Sequence, residues 1–374
     1  MTQPPIQAIA KFLPFIAPPQ AKQSHEVKKP PAISLPNLFL KNLAAQNLLH
    51  HFMPRTGDTG KALNQLPCHP IAHTGHNMTR THQSLGLTMT WLGQLLKCHF
   101  LRTLSNNHSD YIEAILNGDS LCALAISEPD VGAHPKHLSC TAIKQGRHYI
   151  LNGEKAFVSH GPYADRLIVL AITEQDRQRK HYSAFLIPTD SPGLKRLPPH
   201  DIKGLAPSSH CNIVFTDCRT PSDTLIGTPG RAFTEISLPM RTLEDTLMLA
   251  PIAGAIQAQL DYLASASSSC NKSLDMHQLG ELLCLTETAK ELGILAASKL
   301  DQQHISADLT PLIVGFRSVV RQVQASLLDW HDQYPGLCTL AADIDTLSHI
   351  GRQATAARTS ALAERFLFDQ GHKG

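Results

Sequence analysis

LCALAISEPDVGAHP, from Leu121 to Pro135, decides the reading of this chain together with YILNGEKAFVSHG, from Tyr149 to Gly161. Leu121 to Ser127 is a short apolar run closed by Glu128, Pro129 and Asp130, the pattern of a strand ended by turn chemistry. Asn152-Gly153 stands between an alternating run and Lys155 to Ser159, which predicts a hairpin turn. Leu167 to Ile172, Tyr182 to Ile187 and Asn212 to Phe215 repeat the strand pattern, each bounded by Gly, Pro, Asp or Ser. Strands at such close spacing predict a compact β-unit or barrel.

Outward from this unit the pattern changes. From about Phe233 onward the chain is Ala- and Leu-rich, with apolar residues at helical steps: Ile256, Leu260 and Leu263; Leu279, Leu282 and Leu283; Leu312, Phe316, Val319, Val320 and Val323. Before the unit, Thr88 to Leu104 and Tyr111 to Ile115 also read as helical. Helices, then strands, then helices define an α+β architecture. The expected parts are an extended arm over residues 1–40, rich in proline and carrying Lys28-Lys29-Pro30-Pro31, an N-terminal helical domain over 41–118, a β-domain over 119–230 and a C-terminal helical domain over 231–374.

At 374 residues the chain exceeds one ordinary core. A net charge of +2 gives no electrostatic case for nucleic acid or a membrane surface. No apolar run approaches the roughly 18 residues of a spanning helix. The run Ile9 to Ala17 contains Lys11 and lacks a small-residue cleavage site, so a signal peptide is not expected. The nine cysteines are scattered without a repeated spacing and read as the reduced thiols of a cytoplasmic protein. Cys68, His69, His73 and His76 crowd together, but Pro70 and Gly75 argue against a helix that would align them, so a polar His-rich loop and no metal are expected.

The two opening segments resemble the flavin-binding β-domain of the acyl-CoA dehydrogenases, whose usual pattern reads roughly TEPGAGSD followed by NGxKxWITNG. Gly204, Ser208, Phe215, Asp217 and Pro221 continue the resemblance to the end of the β-domain. It implies the family's three-part fold, an N-terminal helical domain, a central β-barrel-like domain and a C-terminal helical bundle, and FAD as cofactor. By position in the motif it places Leu124, Ile126 and Ser127 along the edge of the flavin ring, and Gly132 and Ala133 near the pyrophosphate. Phe157 takes the place of the usual Trp and would cover the ring by stacking, with Val158 and Ser159 following. Asp130 stands where Gly is usual, and Ala133-His134 replaces the family's Ser-Asp pair, removing a hydroxyl near the pyrophosphate.

The implied reaction removes two hydrogens across the Cα–Cβ bond of an acyl thioester and needs a carboxylate base for the α-proton. Counting from Tyr334-Pro335, which resembles the family's EYP, the usual base position falls on Ile350. A branch that includes the isovaleryl- and long-chain-type enzymes supplies the base from an earlier helix, and Leu243-Glu244-Asp245-Thr246-Leu247-Met248-Leu249-Ala250 resembles that segment. Glu244 is therefore the candidate base; the competing reading is a surface carboxylate paired with Arg241 on the same helix face. Asp245 reverses the charge of the family's Arg.

In the family the adenosine half of FAD is held partly by a neighbouring subunit, through RxxFG and QxxGGxG segments. Here those places read Ser267 to Asn271 and Gln324 to Trp330, without the Arg or the glycines. The implied partners are an acyl-CoA or acyl-carrier-protein thioester and a further subunit, in a homo- or hetero-oligomer through the C-terminal helices. Alternatives are a non-catalytic or half-site subunit of a hetero-oligomer and, more remotely, a flavin monooxygenase.

Overall fold

The computed structural model describes residues 35–53, 66–105, 107–176, 179–270, 274–302, 306–350 and 352–371. The expected arm lies largely outside them, and its last residues begin helix α1 (Leu35–Ala45). Three more helices precede the strands: α2 (Cys68–His82), α3 (Leu85–Leu104) and α4 (Ser109–Leu116). Ser84 caps α3 locally, its hydroxyl accepting the Leu87 N–H at 3.2 Å.

The His-rich stretch is a helix, not the expected loop. Pro70 falls in the first turn of α2, where its missing N–H and fixed φ are tolerated. The cap comes from far along the chain: Asp301 accepts the Cys68 and His69 N–H groups at 2.7 and 2.9 Å. Gly75 gives close contact with the helix behind it, since a Cβ there would stand 2.9 Å from the Pro251 ring.

Eight strands form one mixed sheet in the order β6-β7-β3-β2-β4-β5-β8, with β1 pairing parallel to β4. They are β1 (Cys122–Ala125), β2 (Thr141–Gln145), β3 (His148–Ser159), β4 (Arg166–Gln175), β5 (Lys180–Pro188), β6 (Leu194–Pro199), β7 (His210–Pro221) and β8 (Leu225–Ile226). The end strands β6 and β8 do not pair, so the unit is an open sheet and not a hydrogen-bonded barrel. Leu167 to Ile172 of β4 is buried without alternation because both faces of that strand are covered.

Asn152-Gly153 is not a hairpin turn. It lies inside β3, where the register against β7 slips between Leu151 and Gly153, and the turn into β3 falls at Gly146-Arg147. Gly153 is needed because its φ is 137° and a Cβ would come within 2.8 Å of the Cys140 Cα. Asn152 instead bonds across to Asp217, accepting its N–H at 2.8 Å.

After the sheet, a single π-helical turn, Phe233–Ser237, leads into α5 (Leu238–Leu247). The bundle continues with α6 (Leu249–Cys270), α7 (Met276–Asp301), α8 (Ser306–Leu328), α9 (Leu337–His349) and α10 (Arg352–Gly371). A core of buried Leu, Ile, Phe and Trp joins the N-terminal helices, the C-terminal helices and one side of the sheet, and a second core lies within the sheet unit around Leu151, Phe185 and Ile213. No described helix is long and apolar enough to cross a membrane, and Cys68, Cys98, Cys122, Cys140, Cys211, Cys218, Cys284 and Cys338 are unpaired.

Candidate active site

Helices α3, α5, α6, α8 and α9 meet the ends of β3 and β7 around a cavity of about 180 Å³. Met89, Leu92, Gly93 and Lys97 face it from α3 at spacings that place them on one side of the helix. Phe316 and Val320 supply an apolar wall from α8, and Met248 closes it from the junction of α5 and α6. The strand ends contribute Ser159, His160 and His210, with Ser159 and His210 paired across β3 and β7.

Glu244 borders this cavity from the last turn of α5, where its carbonyl accepts the Met248 N–H at 3.1 Å. The residue keeps an exposed surface. Desolvation of its carboxyl raises its pKa above the usual carboxylate range, with Asp245 adding to the rise and Lys97 and Arg241 opposing it. The pairing of Glu244 with Arg241 is not formed among the described residues. Arg241 pairs with Asp245 instead, Nε to Oδ2 at 3.6 Å, and Arg358 of α10 holds the same Asp245 oxygen at 2.9 Å. The reversed charge at position 245 thus ties α5 to α10. Ile350, at the usual base position, also lines the cavity and offers no proton acceptor.

His160 is buried, and its Nε2 lies 2.8 Å from Thr90 Oγ1. Thr90 directs its hydroxyl hydrogen to the Gly86 carbonyl at 2.8 Å, so the ring donates from Nε2 and keeps a lone pair on Nδ1. Burial and the nearby Lys97 push its pKa down to about 3, so the ring is neutral. His210, desolvated and close to His200, is held at about 4.

The positions expected to hold a flavin lie around the strand ends. A bulge between Lys155 and Val158 turns Phe157 outward at a φ of 53°, leaving it 60% exposed. Its ring stacks on His200 at 4.5 Å and 21°, an aromatic platform with one face covered. Val158, on the other side of the bulge, is buried in the sheet core, so its side chain does not reach a ligand on this surface. Ser159 reaches the cavity. Leu124 lies in β1 in register with Ile168, whereas Ile126 and Ser127 lie beyond the end of that strand. The Ile126 carbonyl accepts from Lys155 Nζ at 3.0 Å and the Ser127 carbonyl from the Ala156 N–H at 2.8 Å, so both carbonyls are engaged within the protein. Gly132, at a φ of 59°, has open space where a side chain would be, although its N–H is bonded to the Glu128 carbonyl. Ala133 follows, half-buried. An exposed ring, an open glycine and a hydroxyl at the cavity suit a planar, phosphate-bearing cofactor.

Of the expected site residues, the cavity brings Ser159 and Glu244 together. It adds Lys97, His160, His210 and Arg317, none of which was expected. Lys97 left a trace in the sequence, as the one charge within the long apolar stretch of α3 from Leu85 to His99. The two histidines left none.

Residues 123–218 match the profile of the acyl-CoA dehydrogenase middle domain. The short-chain specific acyl-CoA dehydrogenase of Rattus norvegicus mitochondria is 36% identical over 173 residues, which cover 46% of this chain and 40% of that protein. The chain thus spans less than half the length of this curated relative. Among solved structures, butyryl-CoA dehydrogenase from Megasphaera elsdenii superposes with a TM-score of 0.71 at 17% identity, covering 87% of this chain and 89% of that one. An FAD complex of PigA superposes with a TM-score of 0.75 at 21% identity over 91% of each chain. The β-domain is of the acyl-CoA dehydrogenase type, set within the same helix–sheet–helix fold.

Proposed function

We propose that the chain is an FAD-dependent enzyme that dehydrogenates an acyl thioester between Cα and Cβ, with Glu244 as the base. The single observation that carries this reading is a carboxylate of raised pKa bordering a largely apolar cavity that Ser159 of the flavin motif also lines. Bound FAD would accept the β-hydrogen as hydride. Glu244 takes the α-proton on a carboxylate oxygen. Met89, Leu92, Phe316 and Val320 keep water from the acyl group, which strengthens the electrostatic interactions inside. Phe157 and Ser159 would hold the ring system, and the open face at Gly132 would admit the phosphates. Names among the relatives and neighbours, short-chain acyl-CoA dehydrogenase and the FAD complex of PigA, support the cofactor and the substrate class.

One observation favours a second reading, that this chain works beside a relative that carries the missing adenosine contacts. Ser267 and Ser268, where an Arg is usual, both turn their hydroxyls back to the Ala264 carbonyl, at 3.0 and 2.9 Å, and Gln324 bonds to Gln259. The two serines serve their own helix, and Gln324 ties α8 to α6. Calorimetric titration of the purified chain with FAD tests both readings. Binding of FAD by the chain alone is expected from the first. No binding at millimolar FAD unless a motif-bearing relative is co-expressed is expected from the second. No binding in either case contradicts both.

A further inference from the structure

Lys97 has no role in the reaction described above. Its side chain is 4% exposed and borders the cavity beside Met89, Leu92 and Phe316. Nζ donates to the Gly93 carbonyl, one turn back on its own helix, at 3.0 Å. An ammonium group carries three donors. Among the described residues no second acceptor and no carboxylate lies within bonding distance of it, although Glu244 shares the cavity. Burial lowers its pKa, with Cys122 and Glu244 acting against that fall. The cavity therefore presents unpaired N–H groups to whatever enters it.

A plain hydrocarbon acyl group would seal those donors away from water without giving them an acceptor, which is costly. Sites built to bond a polar substituent reject analogues that lack it for this reason. The size of the cavity limits the group to a short one, since pockets for drug-sized ligands run to roughly 300–1,000 Å³. We propose that the cavity takes a short acyl group bearing an oxygen acceptor, a carboxylate or a hydroxyl, and that Lys97 is the specificity-determining residue that receives that oxygen. The inference rests on the thioester reading only for what the acyl group is attached to.

Three unreactive probes test it: the S-butyl, S-(4-hydroxybutyl) and S-(3-carboxypropyl) thioethers of N-acetylcysteamine, titrated calorimetrically into the purified protein with its flavin. A hydrogen bond to a charged donor predicts that an oxygenated probe binds about ten- to hundredfold tighter than the butyl probe. Preference for both oxygenated probes assigns the recognition to hydrogen bonding, and preference for the carboxylate alone assigns it to charge. Lys97→Met, which replaces a buried ammonium by an apolar side chain of similar length, is expected to abolish the preference. Equal or tighter binding of the butyl probe by the wild-type protein, no binding of any probe, or an unchanged preference in Lys97→Met overturns the proposal. Should that variant fail to fold, the wild-type ranking decides alone. If the ranking holds while no thioester reduces the flavin, the dehydrogenation reading fails and this one stands.

Discussion

Lys155 Nζ lies 2.9 Å from Glu128 Oε1, and both side chains are buried. The pair joins the two motifs that define the β-domain, the Glu of Ser127-Glu128-Pro129 and the Lys of Gly153-Glu154-Lys155. Lys155 also holds the Ile126 carbonyl, while Glu128 accepts the Ser139 and Cys140 N–H groups at 2.7 and 2.9 Å. The loop at the end of β1 is thereby fixed to β3, next to Phe157 and Ser159.

Removing the cation should be severe. Burial alone would raise the Glu128 pKa, but Lys155 and the N–H donors hold it below 4.5. The stability this carboxylate contributes is full above about 4.5 and is lost as pH falls through its folded value. Lys155→Met leaves Glu128 buried and unpaired, so unfolding in urea at pH 7 should show a loss of about 3–5 kcal/mol. The gap to wild type should narrow toward pH 4, where Glu128 of the variant is already protonated. A constant gap across that range would remove the ion pair from the account.

Glu244→Gln keeps size and polarity but cannot accept a proton. Flavin binding should be unchanged, while the rate of flavin reduction by a thioester falls by roughly 10²–10⁴. In the wild-type protein the base must be ionised, so the rate should rise with pH through a pKa above 4.5 and then level off. Stopped-flow reduction across pH follows both. Unchanged reduction by the variant would return Glu244 to a structural role.

Phe157→Gly separates the fold from the site. Glycine relieves the φ of 53° but adds unfolded-state freedom, so apoprotein stability should stay within about 1 kcal/mol of wild type. Loss of the stacked ring should weaken FAD by about two- to tenfold. Melting without flavin and titration with it give the two readings, and an unchanged FAD affinity would exclude Phe157 from the platform.

The helix–strand–helix order was legible because burial sets it: α3 and the C-terminal helices carry long apolar faces, and β4 and β5 are continuous apolar runs. Features fixed by distant contacts were not. Asn152-Gly153 reads as a turn from its dipeptide alone, and it is the approach of Cys140 that makes it a bulge. Helix α2 lacks a local cap, and its N-terminus depends on Asp301, more than two hundred residues away. The candidate site divides in the same way. Glu244, Phe157 and Ser159 stand within motifs, whereas Lys97, His160 and His210 meet only because α3 packs against the ends of β3 and β7.

Asp301 offers a direct check of the non-local cap. Asp301→Ala should cost about 1–2 kcal/mol by denaturant unfolding and speed amide hydrogen exchange in the first turn of α2. Unchanged exchange at His69 would show that the helix starts without it.

The proposed reaction requires this cavity to support flavin reduction by an acyl thioester. Anaerobic visible spectroscopy of the purified chain, supplied with FAD and then mixed with a short-chain acyl-CoA, tests it most directly. The protein should be yellow, and its flavin absorption should bleach on mixing but not in Glu244→Gln. A protein that takes up FAD and stays yellow with every short acyl-CoA, oxygenated ones included, would contradict it.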